Sequence, residues 1–217
     1  MLKILIIGDV ACGKTSILNQ FVLKKFESTY SATVACEFAL KIIKIEDISI
    51  RLHLWDIAGQ DRLGGISKLF CRDAAGALVV TDIKDSKTLE NAITWKEQVD
   101  AHLESEGESI PMVLAVNKYD LIEQQEKEGK AIEETMTQAF LDDFCSKNGF
   151  VGCFRTSAKT GGNVTNAFSL LVRQVLKQKA EKESNENNED DYANLRKQSI
   201  QLSASKAVKK EKKKGCC

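Results

Sequence analysis

The chain has 217 residues, 43% of them hydrophobic, and its 31 Lys and Arg balance its 31 Asp and Glu. That suits one domain with a full core plus an extension. A formal net charge of zero argues against a nucleic-acid binder, which needs a net basic surface. Among the seven cysteines, Cys12, Cys36, Cys71, Cys145 and Cys153 show no CxxC spacing and no companion histidines. They read as reduced cytosolic thiols rather than disulfides or zinc ligands. His53 and His102 read as structural or surface residues. The opening apolar run is interrupted at Asp9 and Lys14, too soon for a signal peptide. No stretch is long enough for a transmembrane helix.

In chain order, residues 2–7 form a short apolar run ending at Gly8, as in a strand buried on both faces. A helix is expected over 14–23. Residues 37–46 and 49–56 read as a hairpin split at Asp47. In its second arm Ile50, Leu52 and Leu54 share one face, with Arg51 and His53 on the wet one. Apolar strands follow at 76–81 and 111–116, with a weaker sixth at 150–155. Helical spacing runs over 86–103 with Asp85 as N-cap, over 132–144 through Met136, Phe140 and Phe144, and over 164–176. Strands alternating with helices predict a mostly parallel α/β sheet covered on both sides. In such sheets ligands sit at the carboxyl ends of the strands.

The motifs fall at those ends. Gly8-Asp-Val-Ala-Cys-Gly-Lys14-Thr15 fits G-x-x-x-x-G-K-[ST] between a strand and a helix. Its backbone N–H groups, through Ala11, Cys12, Gly13 and on to Ser16, are placed to wrap phosphates, and the helix dipole assists. Lys14 would reach the β- and γ-phosphates, and the Thr15 hydroxyl would ligate Mg²⁺. Asn117-Lys118-Tyr119-Asp120 follows the 111–116 strand. A carboxylate at Asp120 accepts from guanine N1 and N2, whereas adenine would leave it unpaired. In Trp55-Asp-Ile-Ala-Gly-Gln60, Asp56 would hold the metal through water, Gly59 would offer its N–H to the γ-phosphate, and Gln60 would orient water. Thr33 is a second hydroxyl suited to Mg²⁺. In Thr156-Ser157-Ala158-Lys159, the Ala158 N–H is suited to guanine O6.

With these five elements in one order, residues 1–178 resemble a Ras-superfamily small GTPase. EFALKI, WDIAGQDR, the NKYD strand and the terminal GCC most resemble the Rab family. WDIAGQ, with Ile57 where most Rabs have Thr, resembles the Rab branch linked to lysosome-related organelles. The resemblance implies a P-loop G domain over 1–178: a six-stranded, mostly parallel sheet with one antiparallel strand and five flanking helices. It implies bound GTP or GDP with Mg²⁺, and slow hydrolysis that needs an activating protein. Phe26 would stack on guanine, Tyr30 would cover the phosphates, and segments 27–37 and 58–71 would switch. The Rab effector surface, a Phe/Trp/Tyr triad, is matched by Phe38 and Trp55, with Phe70-Cys71 in place of the usual tyrosine pair. Val10 and Ala11 stand where relatives carry a small residue and a glycine, which predicts slow intrinsic turnover.

Large apolar residues become sparse near Lys177, and the chain is expected to be disordered from about residue 181. Residues 179–217 read as a flexible hypervariable tail, acidic first and Lys-rich at its end. By resemblance, Cys216 and Cys217 would each carry a geranylgeranyl group, since the ending is no C-a-a-X box. Implied partners are guanine nucleotide, a membrane reached through lipid and lysines, effectors, an exchange factor, a GTPase-activating protein, a prenylation escort and a GDP-dissociation inhibitor. A monomer is expected, cycling between cytosol and the cytoplasmic face of an intracellular membrane. Two other readings stand beside this switch. One is a GTP-dependent membrane scaffold that hydrolyses slowly or not at all. The other, a P-loop nucleotide kinase, lacks an arginine-rich lid.

Overall fold

A computed structural model describes residues 1–28, 33, 35–59, 66–104, 107 and 109–184. The apolar run after Met1 forms β1 (Leu2–Gly8). The hairpin is β2 (Cys36–Ile45) and β3 (Ile48–Ile57), and its turn places Glu46 at φ 54°. β4 (Ala74–Asp82), β5 (Met112–Asn117) and β6 (Cys153–Arg155) complete one sheet in the order β2-β3-β1-β4-β5-β6. Among the described residues, only the β2–β3 pairing is antiparallel. The helices are α1 (Lys14–Leu23), the one-turn α2 (Lys68–Cys71), α3 (Ser86–Glu104), α4 (Asp120–Lys127), α5 (Gln138–Lys147) and α6 over residues 164–184. The longer five are the expected flanking helices.

Alternation along the strands divides the core. Leu5 and Ile7 of β1 join Ala77 and Val79, Met112 and Leu114, and the α3 residues Leu89, Trp95 and Val99. On the opposite face Phe21 of α1 stacks on Phe168 of α6, ring centroids 3.9 Å apart. Ile50, Leu52 and Leu54 are buried while Arg51 is exposed, as the alternation of β3 requires. Asp85 caps α3 by accepting from the Lys87 N–H at 3.1 Å.

Three elements differ from expectation. The helix expected from 132 begins at Gln138. Thr137 holds an extended backbone and its hydroxyl accepts the Phe140 N–H, a local cap that overrides the apolar period. The preceding Glu134–Met136 is a 3-10 turn. β6 is only Cys153–Arg155, because Gly149 turns the chain at φ 70° and Phe150 packs into the core instead. α6 continues to residue 184, past the expected onset of disorder. Beyond that, the tail lies outside the described residues. The chain divides into two units, Met1–Val175 and Leu176–Cys217.

Register sets the site. Ile6 lies beside Asp56, Gly8 beside Val80, Asp82 beside Asn117, and Val116 beside Arg155. The carboxyl ends of the parallel strands therefore finish level with one another. Gly8 sits at φ 137°, and a Cβ there would lie 2.1 Å from the Val80 carbonyl oxygen. No other residue fits that approach.

Candidate nucleotide site

A cavity of about 680 Å³ opens over these strand ends. Ala11, Gly13, Lys14, Thr15 and Ser16 line it from the phosphate loop. Gly13 precedes α1 in the left-handed region at φ 96°, and a Cβ there would meet Asn117 Nδ2 at 2.4 Å. The first turn of α1 holds no acidic residue, so its positive dipole end faces the cavity without an internal counter-charge. Lys14 is buried, and its Nζ donates to the Gly8 and Asp9 carbonyls at 2.9 and 2.8 Å. Cys12 does not line the cavity. Its Sγ donates to the Asp9 carbonyl, and burial pushes its thiol up to about 11. Asp9 is itself buried, and its carboxylate accepts from Trp95 Nε1 at 3.0 Å and Asn91 Nδ2 at 2.6 Å, which ties the loop to α3.

Beside the loop, Thr15 Oγ1 lies 2.5 Å from Asp56 Oδ2 and 2.8 Å from Thr33 Oγ1. Asp56 is fully buried, and its Oδ1 has no hydrogen-bond partner. Burial pushes its carboxyl up to about 6, against the lowering effects of Thr15, Lys14 and Thr33. Two hydroxyls and a buried carboxylate with an orphaned oxygen are a hard-oxygen set that fits Mg²⁺. Among the described residues no group of three His, Cys, Asp or Glu offers an alternative metal site. Gly59 ends this side, and a Cβ there would lie 2.6 Å from the Val10 backbone nitrogen. Tyr30 and Gln60 lie outside the described residues, as do Cys216 and Cys217.

The far side is built from two loops. Asn117 is buried, donates from Nδ2 to the Cys12 carbonyl at 2.9 Å, and accepts the Ala158 N–H on Oδ1 at 3.0 Å. One side chain thus joins the phosphate loop to the loop after β6. The Ala158 N–H, expected to reach a base oxygen, is engaged by Asn117 here. Asp120 lines the cavity and accepts the Ser157 hydroxyl at 2.6 Å. Ser157 is buried behind it rather than lining the cavity. Lys118 sits at φ 65°, with its Nζ 2.7 Å from Asp82 Oδ2. Ala158, Lys159 and the half-exposed Phe26 complete the wall. Glu37 lines it from the start of EFALKI, and Leu121 and Asn19 also line it and carry no motif signal. Asp82 and Asp9 were equally silent, since their partners lie far along the chain.

Ala11 is exposed at φ 62°, a left-handed conformation that costs a residue with a Cβ about 1 kcal/mol. Ala11→Gly is expected to raise Tm by about 2–4 °C, measured by thermal unfolding. If added bulk slows turnover, Val10→Gly combined with Ala11→Gly also hydrolyses GTP faster than wild type in single turnover.

Away from the cavity, Phe38, His53, Trp55 and Phe70 form one aromatic cluster. Phe38 and Phe70 lie 5.3 and 6.3 Å from Trp55, and Lys3 Nζ sits 4.1 Å over the Trp55 ring. Phe38 is 64% exposed and Cys71 is buried, so the third ring beside Phe38 and Trp55 is Phe70.

A glycine-bounded loop ahead of a helix, a threonine pair on a strand-end aspartate, and a carboxylate facing the same cavity are the arrangement of a P-loop GTPase. A model of the Ras family matches residues 3–177. Ras-related protein Rab-32 of Homo sapiens is 39% identical over 179 residues, covering 81% of this chain and 75% of that protein. Rab-32A of Dictyostelium discoideum is 38% identical over 179 residues, covering 81% and 78%. Rab-7L1 of Homo sapiens is 33% identical over 197 residues, covering 90% and 92%. The chain belongs to the Ras family, in its Rab branch, on the side of Rab-32 and Rab-7L1 that WDIAGQ resembles. It is therefore a GTP-hydrolysing enzyme that binds GTP and GDP. It acts as a switch in membrane trafficking, associates with intracellular membranes and meets the regulators and effectors usual for Rabs.

Proposed function

We propose that this protein is a Mg²⁺-dependent guanine-nucleotide switch that works on the cytoplasmic face of a lysosome-related membrane and cycles with the cytosol. The observation that carries it is the convergence on one cavity of Lys14, Thr15, Thr33 and Asp120, with Asp56 beneath them. Lys14 leaves its loop carbonyls for the β- and γ-phosphates, and the N–H groups of Ala11 to Ser16 hold their oxygens. Thr15, Thr33 and Asp56 would hold Mg²⁺, which neutralises charge on the phosphate oxygens when bound. Gly59 offers its N–H to the γ-phosphate, and Gln60 orients the attacking water. Asp120 and Lys118 read the base, with Asn117, Ser157, Ala158 and Lys159 framing them and Phe26 and Tyr30 covering the nucleotide. Once the γ-phosphate is lost, Thr33 and Gly59 lose their common anchor, and segments 27–37 and 58–71 relax.

The G domain spans 1–178, and 179–217 is a tether. Lipid on Cys216 and Cys217 provides two chains, which hold firmly where one is marginal. The adjoining lysines would each add about 1 kcal/mol at an anionic leaflet. An exchange factor, an activating protein, an escort for prenylation and a GDP-dissociation inhibitor act on this cycle. Effectors read the Phe38–Trp55–Phe70 cluster, and the protein acts as a monomer. Deleting Cys216 and Cys217 is expected to move the protein wholly to the soluble fraction of lysed cells. A membrane-bound truncation would refute the anchor.

A further inference from the structure

Behind the cavity, three side chains that do not line it join the two loops that do. Tyr119 stands between Lys118 and Asp120, and Arg155 is the last residue of β6, one position before Thr156. Glu126 projects from the last turn of α4. Its Oε1 accepts Arg155 Nη1 at 2.8 Å, and its Oε2 accepts the Tyr119 hydroxyl. The Arg155 guanidinium also lies over the Tyr119 ring, 4.6 Å from its centroid. One carboxylate is thus forked between a cation and a phenol that already stack on each other. The backbone adds its own tie, from the Tyr119 N–H to the Thr156 carbonyl at 2.9 Å. Hydrogen bonds from Tyr119 and Arg155 hold the Glu126 carboxyl below the usual carboxylate range, so it is charged at neutral pH. Arg155 is mostly buried, with 17% of its side chain exposed, which restricts the pair to one geometry.

The position of this cluster gives it a consequence for the base. Asp120 follows Tyr119 directly, and its carboxylate is held from the other loop by Ser157. Any widening between the loops therefore turns Asp120 relative to a bound base. We propose that Glu126, Arg155 and Tyr119 are positioning residues for guanine, a staple that holds Asp120 where it meets both donors of the base at once. This rests on the assignment of Asp120 as the base reader.

The test compares guanine with hypoxanthine, which has the N1 donor but lacks the 2-amino group. Release of fluorescent-labelled GDP and IDP from the full-length protein is followed by chase with unlabelled nucleotide. Glu126→Gln is expected to speed GDP release about fivefold and IDP release less than about twofold, because IDP has only one bond to lose. Tyr119→Phe is expected to act in the same direction, and the double variant to add little to Glu126→Gln. A general loosening of the domain would speed both nucleotides equally. Unchanged GDP release, or equal acceleration of GDP and IDP, overturns the staple. A wild-type protein that retains ADP as well as GDP refutes the reading of Asp120 itself.

Discussion

Asp120→Asn is expected to weaken GDP binding by at least about a hundredfold, and to do so without unfolding the protein. The carboxylate offers two acceptors, and guanine presents N1–H and the 2-amino group to it. An amide in its place turns one acceptor into a donor, which then faces a donor on the base. The same inversion creates a match for xanthine, whose C2 carries an oxygen instead. The variant is therefore expected to bind XDP more tightly than GDP, reversing the wild-type order. Ser157 can still donate to the amide oxygen, so the local tie at 2.6 Å is retained. Titration calorimetry with GDP and XDP checks both parts. Equal GDP affinity in wild type and variant would mean that the base is read elsewhere.

Lys14→Ala is expected to act on the other end of the ligand and to be as large, at about a hundredfold or more in GDP affinity. Lys14 is the cation the cavity offers from inside the phosphate loop, and it is buried. Its two bonds to the Gly8 and Asp9 carbonyls tie the loop together. Removing the side chain takes one donor from each; the Asp9 carbonyl keeps the Cys12 thiol, so the loss falls mainly on the Gly8 carbonyl, at about 1–3 kcal/mol where water cannot reach it. The variant should therefore also unfold at a lower temperature without nucleotide. Comparing GDP with GMP separates the effects. A lost phosphate contact makes the affinity loss larger for GDP, whereas a collapsed loop affects both alike.

Much of this site was legible because its motifs are contiguous and lie at strand ends. Residues 8–15 fix the strand, turn and start of α1 together, since Gly8 and Gly13 occupy positions no Cβ fits. Asp120 and Asp56 could be given roles from chemistry alone. The ties between motifs could not, because they join residues far apart in the chain. Asn117 reaches Cys12 across 105 residues, and Asp9 reaches Asn91 and Trp95 across more than 80. A polar residue that is silent in its own segment becomes decisive only after the sheet has set its register.

The fold shows the same division. α3 was readable from its Asp85 cap and apolar spacing, and α1 from the helical stretch that follows the first strand. α4 escaped because it buries only Ile122, too little for a helical stripe. The run through Met136, Phe140 and Phe144 suggested one helix, yet Thr137 starts a new one with a single hydroxyl. Spacing records which side of a helix faces the core, but it cannot show where a local hydrogen bond interrupts the path.

The most direct measurement is single-turnover phosphate release from purified protein loaded with GTP in the presence of Mg²⁺, with Gln60→Leu loaded in parallel. Wild type is expected to convert its bound GTP to GDP and phosphate, slowly alone and faster with a GTPase-activating protein, while Gln60→Leu retains GTP. Phosphate release no faster than from free GTP, with or without the activating protein, would contradict the switch.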